Sequence, residues 1–255
     1  MSMYNMTTNG TMAAYNVTTV SGFSLTNRWL LYTSIMLAPA QFISGVRSNF
    51  PANLGFLAYN WYTQISWHQS VAAKQLNALC LLPVHFNTMY SLSYLGGVTS
   101  GNIVMGILLG FGTAGVMVLN NVTAWTSWAT NQPEGYGVYQ FFFFGWRTLD
   151  ANWHKFFLVW QIFDSLEALT MLTIAISLAI AVTGMEEEEF EEWSAWWMRY
   201  PFIPLGAVVM LVLAWPLILW VELIVARNNI ESATDYIAVW LFVAQVVAML
   251  IPMPF

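Results

Sequence analysis

Apolar runs of about 20 residues, the length an α-helix needs to cross the hydrocarbon core of a bilayer, recur along this chain and constrain it more than any other feature. The clearest are residues 156–183 and 202–226, followed by 101–121, 77–95, 236–253 and 29–46. Of the 255 residues 58% are apolar and only 8% charged, 7 basic and 13 acidic, against about a quarter charged in an ordinary soluble domain. So few charges cannot cover a globular surface, which excludes a soluble enzyme. A net charge of −6 leaves no basic stripe for phosphates, so nucleic acid is excluded as a partner. The lone Cys80 has no disulfide partner within the chain, and no Cys/His ligand spacing occurs.

The pattern predicts an all-α fold, a polytopic transmembrane helix bundle of six spans, with seven as the alternative and one or two re-entrant or interfacial segments. Residues 50–67 (FPANLGFLAYNWYTQISW) are apolar but carry Pro51, Asn53, Asn60 and Gln64, so they are read as re-entrant or interfacial, with a seventh span the other possibility. Residues 136–149 (YGVYQFFFFGWRTL) are short for a crossing and are read the same way. One domain, 29–255, follows a tail, 1–28, whose first 27 residues bear no charge. The tail lacks the basic start and the cleavage site of an ordinary signal peptide. It holds three N-x-S/T sequons, at Asn5, Asn9 and Asn16, which in a secretory setting mark glycosylation on the lumenal or outer side.

Lys and Arg accumulate in cytoplasmic loops. With the tail outside, six crossings put Arg47, Lys74, Arg147, Lys155 and Arg227 inside and Arg28 and Arg199 outside, and the acidic run Glu186–Glu192 falls in an outer loop, 185–200. A plasma-membrane or endomembrane protein with an outer or lumenal N-terminus is therefore expected, and a fourth sequon, Asn121-Val122-Thr123, is expected bare at the inner surface. No internal repeat suggests an inverted-repeat transporter.

The stretches LNALCLLPVH (76–85), NNVTAWTSWATNQPEG (120–135) and FFFFGWRTL (141–149) resemble an uncharacterised family of multi-span membrane proteins of filamentous fungi. The resemblance spans about Trp29 to Gly184. It implies a eukaryotic endomembrane or plasma-membrane setting and carries no activity or functional residue with it.

Ionisable side chains inside hydrocarbon are costly, and those present usually face a cavity or a partner. Gln161, Asp164 and Glu167 recur every third residue in the run 156–183, hence on one helical face. Asp164 follows Lys155 by nine residues, roughly 13 Å of helix, and His85 lies at a matching depth of roughly 12 Å beyond Asn77, near Asn87. Joined, His85, Asp164 and Glu167 form a candidate proton or cation site in which two acids one turn apart share a proton. The simpler reading has each acid hydrogen-bonded to a neighbouring helix for packing alone. No metal site is read, since His68, His85 and His154 show no i, i+4 pairing, and no cofactor is implied. Glu222 follows Pro216 and precedes Arg227, which makes it either a gate beside a proline kink or one half of an ion pair with a basic neighbour.

Gly97, Gly101, Gly106, Gly110, Gly112, Ala114 and Gly115 allow close backbone approach, either within the chain or in a homo-oligomer. Tryptophans such as Trp125, Trp128, Trp146 and Trp153 sit at proposed span ends, an interfacial belt; Trp125 and Trp128 with Phe141 to Phe144 form the best candidate pocket for a lipid headgroup, sterol or isoprenoid. Phosphate-binding glycine loops, GxSxG and a midspan Lys are absent, which disfavours nucleotide-driven pumps, serine hydrolases and retinal proteins.

Three function classes follow. The expected one is a transporter or channel for a small solute, ion or proton, using the His/Asp/Glu site. The others are an oligomeric scaffold packed through the glycine-rich helix, with the acidic loop as a docking surface, and a membrane-embedded enzyme with a buried acid acting on a lipid or isoprenoid. Membrane lipids and further copies of the chain are the expected partners.

Overall fold

The computed structural model describes residues 22–43, 50–72, 87, 90–91, 103–130, 140–148, 150–186, 188–189, 192, 202–228 and 230–250. Within them lie six long helices, α1 (Leu25–Ile43), α2 (Phe50–Ala72), α3 (Ile103–Thr130), α4 (Ala151–Val182), α5 (Phe202–Arg227) and α6 (Tyr236–Leu250), and one antiparallel hairpin, β1 (Gln140–Phe142) with β2 (Trp146–Thr148). Asn87, Tyr90 and Ser91 are also helical.

Local chemistry sets the helix starts. Asp150 Oδ1 accepts from the backbone N–H groups of Asn152 and Trp153, both at 2.9 Å, and caps α4. Asp235 does the same for α6 through Ile237 and Ala238, and Ser24 Oγ accepts from the backbone of Asn27 to start α1. Pro51 falls in the first turn of α2, where its missing N–H leaves no helical bond unmade.

Packing fixes the direction of each helix. α1 begins where α5 ends, because Arg28 meets Glu222, and where α6 begins, because Gly22 N donates to Ala233 O and Asn27 Nδ2 to Asp235 O. α2 ends at the same level, with Tyr62 OH donating to Asp235 Oδ2 at 2.8 Å and Trp67 packed on Phe23 at 5.7 Å. α3 runs parallel to α2, matching Leu57 with Gly112, Trp61 with Gly115 and His68 with Thr123. α4 runs antiparallel to α3, matching Ala114 with Ala175 and Trp125 with Ser165. Asn87 and Ser91 meet Asp164 and Glu167 in that order, so their segment parallels α4. Successive helical segments thus alternate in direction through the chain, and one end of the bundle gathers the start of α1, the ends of α2, α3 and α5, and the starts of α4 and α6.

α2 packs between α3 and α6, α3 continues to α4, and α1 joins α6 to α5. The hairpin bridges α5 and α4: Asn228 Nδ2 donates to Gln140 O and Trp220 Nε1 to Phe142 O, while buried Phe141 packs edge-on against Trp153 and Phe157. The core runs through Tyr32, Tyr59, Tyr90, Met117, Phe141, Val221 and Ile224, all nearly inaccessible.

The expected count of six spans is not supported, since two helices among the described residues are long and apolar enough to cross a membrane. Residues 50–67 fall within α2, an unbroken 23-residue helix, about 34 Å long, and the polar Asn60 and Gln64 that argued against a crossing are wholly buried against neighbouring helices. Residues 140–148 within the 136–149 run form a hairpin against α4 and α5, with aromatic side chains covering its backbone. Stretches Gly106–Thr126 and Lys155–Val182 are long and apolar enough to cross a membrane. Only 17% of the second is buried, against 56% of the first, so α4 turns most of an apolar surface outward, including Phe163, Leu166, Leu169 and Ile180.

Candidate functional site

The polar side chains inside the bundle gather at one depth. Ser34, Asn60, Asp164 and Gln245 lie nine to thirteen residues from the starts of their helices, about 14–20 Å along the axis. Each is at most 5% exposed, so each must find its partners within the protein.

Two groups of hydrogen bonds make up this layer. In the first, Gln64 Nε2 donates to Tyr90 OH, Tyr90 OH to Asn60 Oδ1 (2.9 Å), Asn60 Nδ2 to Ser34 Oγ and Ser34 Oγ to Gln245 Oε1 (3.0 Å). It ties α2, the Tyr90 segment, α1 and α6 together without an ionisable group that titrates near neutral pH. The second is acidic. Asn120 Nδ2 donates to Asn87 Oδ1, Asn87 Nδ2 donates to Asp164 Oδ2 at 3.0 Å, and Ser91 Oγ donates to Glu167 Oε1 at 2.7 Å. Asn121 Nδ2 reaches the backbone oxygens of Asp164 and Met117, Ser165 Oγ donates to Asn121 Oδ1, and Trp125 Nε1 donates to Ser165 Oγ.

The expected face of α4 is present. Gln161 and Asp164 are both 5% exposed, Glu167 is half-buried, and Asp164 and Glu167 meet the Asn87–Ser91 side of the bundle. Among the described residues the side chain of Asp164 is held by one neutral amide, that of Asn87. Gln161 Nε2, one turn earlier, is buried without an acceptor, as are Gln245 Nε2 as a donor and Gln64 Oε1 as an acceptor. His85 lies outside the described residues, as do Asn5, Asn9, Asn16, Gly97 and Gly101. No group of three or more His, Cys, Asp or Glu converges as a metal site among the described residues.

Glu222 belongs elsewhere. Its partner is Arg28, 194 residues away, through Nε to Oε1 at 2.7 Å and Nη2 to Oε2 at 3.0 Å, with Tyr32 OH donating to Oε1 at 2.8 Å and Arg28 Nη1 donating to Phe23 O. Arg28 is 6% and Glu222 27% exposed, so a bidentate ion pair locks the start of α1 to the end of α5. Arg227 instead donates to Gln140 Oε1 and lies 5.0 Å over the ring of Trp146.

The glycine face of α3 is used inside the chain. A Cβ on Gly112 would meet Leu57 Cδ2 at 2.7 Å and one on Gly115 would meet Trp61 Cζ2 at 2.5 Å, while Trp61 Nε1 donates to Gly112 O. Gly110 is buried and Gly106 half-buried. The sequon at Asn121 is inside the bundle, with Asn121 7% and Thr123 0% exposed, rather than at a surface. Sequence reasoning missed Asn60, Tyr90, Ser34 and Gln245 as one network, and Gly55, whose Cα faces the backbone of Gln245. Their only sequence signal is a lone polar or small residue in the middle of an apolar run.

Searches of protein-family models, curated proteins and solved structures find no match to this chain.

Proposed function

We propose that this chain is an integral membrane protein of seven crossings that moves a proton or small cation through a buried carboxylate site on α4. The observation that carries the reading is Asp164: a carboxylate 5% exposed, midway along the outward-facing apolar helix, whose described side-chain partner is neutral. Elsewhere the same molecule meets a partly buried carboxylate with a bidentate arginine, at Glu222. An acid left without a cation in an apolar bundle is compensated by a proton or a bound ion. Glu167 one turn away supplies a second carboxylate on the same face, and the hydroxyl of Ser91, which donates to it, lies opposite.

The membrane reading draws on α4, whose exposed apolar surface has no counterpart in a soluble core helix. The seven-crossing count draws on helix direction. Six crossings with a re-entrant α2 put Arg28 and Glu222 at opposite faces of the membrane, whereas alternation with α2 as a crossing joins them at one. Counting α2 also reverses the orientation. Arg28, Arg147, Lys155 and Arg227 then share one end; in sequence Lys74 follows α2 by two residues, Arg47 stands between α1 and α2, and Arg199 between the acidic run and α5. The five-to-two bias now makes the tail's side cytoplasmic, and the sequons at Asn5, Asn9 and Asn16 remain bare.

Reconstitution into liposomes with an internal pH-sensitive dye tests the site. The intact chain should carry protons, or alkali cations, down an imposed gradient, and Asp164→Asn should abolish that flux in a folded protein. If Asp164→Asn and Glu167→Gln both fold and conduct as the parent does, the site is misassigned.

A further inference from the structure

The hairpin at the Arg28 end carries a surface that the proton site does not use. Phe141 points inward, but Phe143 and Trp146 are about two-fifths exposed and Phe144, at the tip, is 90% exposed. Phe144 is held at φ +46°, a left-handed conformation that costs an aromatic residue energy, followed by Gly145 at φ +136°. Among the described residues, Phe143 is the ring that meets Phe144.

Depth along α5 orients the hairpin. Its open end, Gln140, is bonded to Asn228 and Arg227 at the end of α5, while Phe142 O is bonded to Trp220, seven residues or about 10 Å deeper. The tip therefore dips from the end of the bundle toward its middle, between α4 and α5, on the outer surface. Above it stand Arg147, paired with Phe141 across the hairpin, and Arg227, whose guanidinium lies 5.0 Å over Trp146. Arg227 Nε is held by Gln140 Oε1, and no described residue accepts from Nη1 or Nη2.

We propose that this hairpin is a binding site for an anionic phospholipid of the leaflet at the Arg28 end. Acyl chains lie along Phe143 and Phe144, and Arg147 and Arg227 take the headgroup phosphate about 10 Å higher, with Trp146 at the boundary. The charge pattern selects the occupant: a zwitterionic headgroup is net neutral, whereas an anionic one brings a net negative charge to the two arginines. The tip's apolar exposure selects a lipid over a free phosphate. This assignment rests on the membrane reading and not on the carboxylate site.

The test uses the full chain purified in a non-ionic detergent and native mass spectrometry with added phosphatidylserine or phosphatidylcholine of identical acyl chains. Phosphatidylserine should remain bound preferentially. Arg147→Gln and Arg227→Gln should each weaken its retention about 5-fold and together about 25-fold, the equivalent of ~1 kcal/mol per basic side chain at an anionic surface. Phe144→Ser should weaken both lipids. Equal retention of the two lipids, an unchanged double variant, or displacement by soluble glycerophosphoserine at equal concentration overturns the proposal. Carbonate extraction of the same variants from cell membranes separates the two levels: release of the parent chain overturns the membrane reading, whereas retention without lipid preference overturns only the headgroup site. Arg147→Gln is the informative single change, since that side chain is exposed and makes no described hydrogen bond.

Discussion

Arg28 and Glu222 allow a direct measurement of how the helices are arranged. Replacing Arg28 with Met keeps the apolar stem and removes the two charge-assisted bonds to Glu222 at 2.7 and 3.0 Å and the bond to Phe23 O. Breaking a buried pair from one side costs about 3–5 kcal/mol. Glu222 is 27% exposed and keeps the hydroxyl of Tyr32, which moves the expected loss to about 3 kcal/mol, the low end of that range. Glu222→Gln leaves Arg28, at 6% exposure, with a neutral partner, and should cost about 2 kcal/mol. Because each single change already removes the pair, the double variant should cost well under the sum, with a coupling of about 2 kcal/mol. Reversible unfolding in mixed micelles with increasing SDS, followed by far-UV circular dichroism, gives the four free energies of the cycle. Residues at opposite faces of a bilayer cannot couple, so an interaction under about 0.5 kcal/mol would refute the alternation of helix directions and the orientation drawn from it.

Gly55→Ala should cost more than Gly112→Ala although the chemical change is the same. The added methyl at Gly55 meets the Cα of Gln245 at 2.7 Å, which is backbone, whereas at Gly112 it meets the rotatable methyls of Leu57; losses of about 3 and 1 kcal/mol are expected in the same unfolding assay. Asp164→Asn should fold at least as stably as the parent, since the new amide oxygen can still accept from Asn87 without a buried charge. Asp164→Leu strands that donor and should cost about 1–3 kcal/mol, so a carboxylate essential to stability would show as the reverse order. The sequons at Asn5, Asn9 and Asn16 should give no endoglycosidase shift in a eukaryotic host, while a sequon introduced into the acidic segment near Glu188 should; a shift from the tail sites would return the tail to the lumenal side.

The helices themselves were legible wherever an apolar run was long and uninterrupted: the expected run 202–226 corresponds to α5 within one residue, and 156–183 to α4, which starts five residues earlier at Ala151. Asp164 and Gln161 were legible for the same reason, because a polar residue on an apolar helix declares itself. α2 was not, since Asn60 and Gln64 look unfavourable for a crossing until their partners are known, and those partners, Tyr90 and Ser34, lie 26 or more residues away. The hairpin was ambiguous because four successive phenylalanines carry neither the alternation of a strand nor the period of a helix. Glu222 forms the ion pair with a basic neighbour that was one of its two expected roles, but the neighbour, Arg28, is 194 residues away and is set by the packing of α1.

Hydropathy, length and capping are local properties, so the amino-acid sequence by itself determined which segments are helical, that one of them is apolar enough to face lipid, and that a few carboxylates stand inside it. Helix direction, the side on which the charges collect and the partner of each buried polar group depend on parity and on contacts between residues distant in the chain. A single segment that does or does not run the length of the bundle inverts the direction of everything after it, and only the tertiary packing of α2 between α3 and α6 decides that direction.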